Sequence, residues 1–206
     1  MVLNNFVVFE GIDGAGTTTQ LKLLQEKLAG YSKTKSFFTF EPSPNPTGVF
    51  LRQVLKGEIK LHPDTIARLF AADRCEHLYG ANGIAELCSR NTLVVCDRYI
   101  FSNLAYQSTE CGADLPHQLN EGFPLPQIVF YFDLEPSVSI NRIGGRGVTE
   151  IYEKIDFLEK TRRNYQSIME EYKDKTQIVH IDATQSVEAV FEKIWGIIGN
   201  LPIIKA

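Results

Sequence analysis

Short apolar runs alternate with longer amphipathic stretches along this chain. Phe6-Val7-Val8-Phe9 is an unbroken apolar run ending at Glu10-Gly11, the pattern of a strand buried on both faces of a parallel sheet. Residues 18–28 carry Leu21, Leu24 and Leu28 at i, i+3 and i+7, with Gly30 as a stop, and predict a helix. Residues 36–40 predict a second strand, closed by Glu41-Pro42-Ser43-Pro44-Asn45-Pro46. A short helix is expected over 48–55 and a long one over 64–89. Residues 93–96, 128–132 and 178–181 predict three further strands, the second announced by Pro124 and Pro126. Helices follow the last two, one of them over 187–198. Strands alternating with helices mean βαβ units, hence an α/β three-layer fold on a five-stranded, mostly parallel sheet. Such sheets bind ligands beyond the carboxyl ends of their strands. The segments to examine are therefore 10–19, 41–47, 97–107 and 133 onward.

Composition narrows the class. The 206 residues are 44% hydrophobic and 22% charged, which suits one globular domain with its own core and excludes a fibre or a disordered chain. A formal charge of −4 leaves no global basic field for nucleic acid, so a phosphate ligand needs a local cluster of donors. The four cysteines show neither C-x-x-C pairs nor metal spacing, the pattern of isolated thiols in a reducing, cytoplasmic setting. The opening MVLNNFVVFEG has no basic n-region and does not read as a signal peptide, and no run approaches the ~20 apolar residues of a membrane span.

The strongest chemical signal follows the first strand: Gly11-Ile12-Asp13-Gly14-Ala15-Gly16-Thr17-Thr18-Thr19. Glycine spacing and strand-loop-helix context match G-x-x-x-x-G-K-[ST], the loop of P-loop NTPases. Gly14 and Gly16 let the backbone curl so that successive N–H groups face one concavity, and the helix N-terminus adds partial positive charge. Thr18 falls where a hydroxyl would meet Mg²⁺. Thr17 stands where the pattern has lysine. Losing one preorganised donor at developing charge costs roughly 10²–10³ in rate, whereas a main-chain cradle does not depend on that side chain. Lys22, more than a turn further on, is a poor substitute.

With this loop, the segments FEGIDGAG-TTTQ at 9–20, EP at 41–42, LRQVL at 51–55, LFAADR at 69–74, DRY at 97–99, SNLAYQ at 102–107 and IDAT at 181–184 resemble the thymidylate kinase family nearly end to end. The resemblance implies that Gly11, Asp13, Gly14, Ala15, Gly16, Thr17, Thr18 and Thr19 hold the phosphates of ATP. It implies that Phe70 stacks on thymine and that Arg74, on the same helix face at i+4, bonds the exocyclic carbonyl. Arg52 and Arg98 would grip the acceptor phosphate, Tyr106 would pack against the sugar, Gln107 would meet the base edge, and Asp13 the 3′-hydroxyl. Thr18 and Asp97 would hold Mg²⁺. Arg142-Ile143-Gly144-Gly145-Arg146-Gly147 reads as a basic lid, near 142–153, over ATP. In the bacterial branch the lid supplies the arginine that the loop lacks, so Arg142 and Arg146 are the candidates.

The expected activity is phosphorylation of dTMP to dTDP in dTTP synthesis, by a cytoplasmic homodimer. Two departures bear on it: Thr17, and Phe40 ahead of Glu41-Pro42, where many bacterial members carry arginine. The alternatives they leave open are a kinase preferring another monophosphate such as dUMP, and a nucleotide-binding protein with weak catalysis.

Overall fold

A computed structural model describes residues 1–31, 34–144 and 154–205. The chain runs β1 (Val2–Gly11), α1 (Thr17–Ala29), β2 (Ser36–Phe40), α2 (Pro46–Leu55), α3 (Pro63–Tyr79), α4 (Ile84–Ser89), β3 (Leu93–Asp97), α5 (Ile100–Cys111), α6 (Asp114–Asn120), β4 (Leu125–Asp133), α7 (Pro136–Ile143), α8 (Ile155–Tyr172), β5 (Gln177–Asp182), α9 (Val187–Ile198) and α10 (Pro202–Lys205). The five strands form one all-parallel sheet in the order β2-β3-β1-β4-β5. This is the expected P-loop NTPase-type α/β architecture.

The continuous apolar runs sit at the centre of the sheet. Phe6 to Phe9, Val94 to Cys96 and Val129 to Phe130 are fully buried because helices cover both faces. Phe9 meets Phe130 edge-on, with ring centroids 5.2 Å apart, and tilts against Phe132 at 5.4 Å. The chain leaving β1 crosses to β2 on one side, while the chain leaving β3 crosses to β4 on the other. The two exits part above the β1/β3 pair, where doubly wound sheets open a ligand crevice. Phe9 pairs with Asp97 across this seam, and the Arg98 N–H continues the ladder to the Phe9 carbonyl at 2.9 Å.

One predicted helix is two. The stretch expected over 64–89 breaks after Tyr79: Gly80 turns extended, Asn82 takes a left-handed φ of 55°, and α4 restarts at Ile84. Leu78, Ile84 and Cys88 stay buried across the break, so the apolar spacing hides it. Among the described residues, no helix is long and apolar enough to cross a membrane.

Candidate active site

The loop between β1 and α1 is built around two backbone turns that favour glycine. Gly14 has φ 76° and Gly16 φ 96°, both left-handed. A Cβ on Gly14 would also come within 3.0 Å of the Ser139 carbonyl oxygen. The curl is fastened from outside. The Asp13 N–H donates to the Tyr106 hydroxyl at 3.1 Å, and the Ser139 hydroxyl donates to the Asp13 carbonyl at 2.5 Å. The N–H groups of Gly14, Gly16, Thr17 and Thr18 find no acceptor among the described residues, and α1 starts from Gly16 without a side-chain cap. Open amides at a helix N-terminus form an anion-binding concavity.

Thr17 opens α1 where lysine is usual, and its hydroxyl faces Asp97 together with that of Thr18, which donates to Asp97 Oδ2 at 3.2 Å. Burial pushes the Asp97 carboxyl above its ordinary range, against the pull of Arg98, Thr17 and Thr18. Asp97 Oδ1 is buried with no partner. The Thr18 hydroxyl and the Asp97 carboxylate, whose Oδ1 is unpartnered, are hard donors that suit Mg²⁺. Among the described residues no group of three or more His, Cys, Asp or Glu gathers as a metal cluster.

Beside this loop lies a cavity of about 210 Å³ lined by all seven residues expected to hold the acceptor: Asp13, Arg52, Phe70, Arg74, Arg98, Tyr106 and Gln107. Arg98 enters at φ 72°, a left-handed backbone that costs a non-glycine residue ~1–2 kcal/mol. Its guanidinium donates to Asp13 Oδ1 at 2.6 Å and to the Ser102 hydroxyl at 3.1 Å, and lies 5.1 Å from the Tyr106 ring centroid. Tyr106 in turn donates to Asp13 Oδ2 at 2.8 Å. Arg52 donates to the carbonyls of Pro42 at 2.6 Å and Ser43 at 2.8 Å, over the Phe40 ring at 5.6 Å. Phe40, in the position of the missing arginine, therefore supports a cation from the next element. The Asp73 carboxylate accepts from the Ser43 N–H at 2.7 Å and the Thr47 hydroxyl at 2.7 Å, which holds the carbonyl perch under Arg52 in place. Phe70 is half-buried on α3, one turn from Arg74. Arg74 is 1% exposed, paired with Glu41 Oε2 at 2.7 Å and sandwiched between the Tyr99 and Phe123 rings at 5.2 and 5.7 Å.

Several groups at the site escaped the sequence reading. Glu10 ends the apolar run of β1 yet is fully buried. Its carboxylate accepts from the Tyr99 N–H at 2.7 Å, the Ser102 hydroxyl at 2.6 Å and the Tyr165 hydroxyl at 2.9 Å. Glu10 thus ties β1 to the first turn of α5 and steadies the Ser102 hydroxyl beside Arg98. Glu10 and Ser102 lie inside motif strings that flag them, whereas nothing local marks Tyr165, which arrives from α8.

Burial pushes the Glu10 carboxyl up to about 7, against the pull of Ser102 and Arg98. The folded protein then keeps a proton that the unfolded chain, near its ordinary 4.5, has lost. Stability from this group is complete below that ordinary value and falls as pH rises to about 7, by at most ~1.4 kcal/mol per pH unit. Glu10→Gln, uncharged throughout, is expected to flatten that slope in denaturant unfolding across about pH 5 to 8. An unchanged slope would assign the proton elsewhere.

A second cavity, about 360 Å³, opens on the other side of the loop and is lined by Gly14, Ala15, Gly16, Thr19, Arg142 and Gln185 among others. Arg142 ends α7 with its guanidinium donating to the Gly14 carbonyl at 3.3 Å and the Ala183 carbonyl at 3.1 Å, so it bridges the phosphate loop to the exit of β5. Arg146 and most of the expected lid lie outside the described residues.

Comparison with known proteins agrees with this arrangement. The thymidylate kinase family model matches residues 9–194. A Treponema pallidum protein with a provisional thymidylate kinase name is 41% identical over 197 residues, 94% of each chain. A Methanocaldococcus jannaschii protein, also provisionally so named, is 40% identical over 98% of this chain and 100% of its own. A thymidylate kinase of Leptospira interrogans is 39% identical over 80% of this chain and 81% of its own. With the loop, the cavity and these matches in agreement, the chain belongs to the thymidylate kinase family.

Proposed function

We propose that the protein is an ATP-dependent kinase that transfers the γ-phosphoryl group to dTMP, giving dTDP. The reading rests on one observation above all: seven residues drawn from the loop after β1 and from α2, α3 and α5 and its approach line one cavity against the open-amide loop. The second cavity, across the same loop, takes the nucleoside end of ATP, and the loop amides take its phosphates. Both cavities open beyond the carboxyl end of one sheet, which supports a single domain.

In-line phosphoryl transfer asks the protein for positioning and charge neutralisation rather than covalent chemistry. Arg98, held by Asp13 and Ser102, presents a fixed fork to the acceptor phosphate, and Arg52 lines the same cavity. Phe70 forms a plate for the base. Thr18 and Asp97 hold Mg²⁺, which when bound neutralises charge on the donor phosphates. Nothing in the geometry calls for a general base. Family membership also supports a homodimer and a cytoplasmic enzyme.

The reading is tested by ADP release from ATP and Mg²⁺ over a panel of dTMP, dUMP, dCMP and dAMP. The highest kcat/KM is expected with dTMP; a higher value with another monophosphate would overturn the substrate assignment. A second test concerns the lysine's replacement, which we assign to Arg146. Its guanidinium is permanently charged and grips phosphate oxygens bidentately. Arg146→Ala is expected to lower kcat by about 10²-fold, and Thr17→Lys in that background to restore part of the loss. An unchanged kcat in Arg146→Ala would refute the assignment.

A further inference from the structure

Arg98 joins β3 to α5, and its main chain is fastened as firmly as its side chain. Its N–H donates to the Phe9 carbonyl on β1 at 2.9 Å. Its own carbonyl accepts from the Cys96 thiol at 3.1 Å. The thiol has one proton to give, and the other acceptor within reach, the Asp97 carbonyl, lies further off at 3.9 Å. Among the described residues no backbone N–H donates to the Arg98 carbonyl. The next N–H along the chain, that of Tyr99, donates to Glu10 Oε1 at 2.7 Å. Cys96, Glu10 and Tyr99 are all fully buried.

The Arg98 carbonyl and the Tyr99 N–H belong to one peptide unit, which is planar and turns as a plate. Cys96 holds one edge of this plate from β3, and Glu10 holds the opposite edge from β1. The plate before Arg98 is tied to Phe9. Both backbone angles of Arg98 are therefore fixed from outside. That fixing matters because its φ of 72° is unfavourable for a residue with a Cβ and persists only where the surroundings force it.

We infer that Cys96 is a positioning residue: its thiol proton holds the Arg98–Tyr99 peptide against the pull of Glu10 and so keeps the Arg98 fork aimed into the acceptor cavity. The inference rests on the kinase reading above and deepens it. Cys96 is not among the residues lining the cavity and touches no substrate. A buried cysteine that only fills space is replaced with little loss by an apolar side chain of similar volume. A cysteine that donates is not.

The experiment compares Cys96→Val, Cys96→Ala and Cys96→Ser by steady-state ADP release with dTMP, beside Tm. Valine fills the space without a donor, alanine does neither, and serine keeps a donor in a smaller, polar side chain. Cys96→Val and Cys96→Ala are expected to lower kcat/KM for dTMP about tenfold, chiefly through kcat, with KM for ATP within about twofold of wild type. Cys96→Ser is expected to stay within about threefold of wild type in kcat/KM, although its Tm falls below that of Cys96→Val. Activity that follows the donor while Tm follows apolar volume is a pattern no filler produces. In an Arg98→Met background, Cys96→Val is expected to cost no further activity, because the fork it aims is gone. Full activity in Cys96→Val, activities that rank with Tm across the three variants, or an undiminished loss in the Arg98→Met background would each overturn the inference. If Cys96→Val does not fold, Cys96→Ala against Cys96→Ser decides, and serine no better than alanine refutes the role. If the wild type phosphorylates no monophosphate, the kinase reading fails separately, and the same ranking is read from calorimetric Kd values for dTMP.

Discussion

Arg98→Met is expected to lower kcat/KM for dTMP by about 10³-fold while leaving Tm within a few degrees of wild type. The guanidinium is 23% exposed, positioned by Asp13 and Ser102, and carried on a left-handed backbone. Strain of that kind persists where surrounding structure forces it, and it aims the side chain into the cavity instead of along α5. Methionine keeps the volume but removes the fork and the charge. The lost ion pair with Asp13 is partly solvated and contributes little to folding, so the loss falls on the reaction. Arg98→Lys keeps the charge without the planar fork and should recover only part of the rate. Steady-state ADP release measured beside thermal unfolding separates the outcomes. Loss of activity and of fold together would make Arg98 structural, and near-normal turnover in Arg98→Met would remove it from the phosphate site.

Asp97→Asn is expected to lower kcat by about 10²-fold or more and to raise the Mg²⁺ concentration needed for half-maximal rate. Its effect on stability should have the opposite sign. Burial disfavours the charged form of Asp97, and Oδ1 has no partner. Asparagine removes the charge and still offers an oxygen to the Thr18 hydroxyl, so Tm should hold or rise. Raised stability with lost activity is the signature of a group kept for binding rather than folding. Activity within a fewfold of wild type would mean that Mg²⁺ is held without Asp97.

Much of this architecture is legible in the sequence, for physical reasons. Strands buried on both faces carry no polar alternation, so β1, β3 and β4 stand out as apolar runs. The phosphate loop announces itself because its geometry needs glycine at Gly14 and Gly16. Helix α8 passes unnoticed because its buried stripe, Leu158, Thr161, Tyr165, Ile168 and Met169, includes polar members that read as surface. The break between α3 and α4 is masked by apolar spacing that continues across Gly80. Glu10 looks like the polar end of a strand, and its burial depends on hydroxyls that come from α5 and α8. Asn120 meets Arg74 across 46 residues of chain, from a short helix that contains Pro116, and no local pattern reports such a pairing. The acceptor residues themselves are scattered over four segments, and folding the β1 and β3 exits together is what makes them one cavity.

The central claim is that a cradle of main-chain amides without its usual lysine still brings ATP to the point of transfer. It is tested most directly by single-turnover transfer of γ-labelled phosphate, with enzyme in excess over ATP and with dTMP and Mg²⁺ present. The label is expected to move into dTDP, at a rate that falls when Arg98 is replaced. Binding of both nucleotides with the label retained on ATP, or its release as inorganic phosphate at the same rate with and without dTMP, would contradict the account.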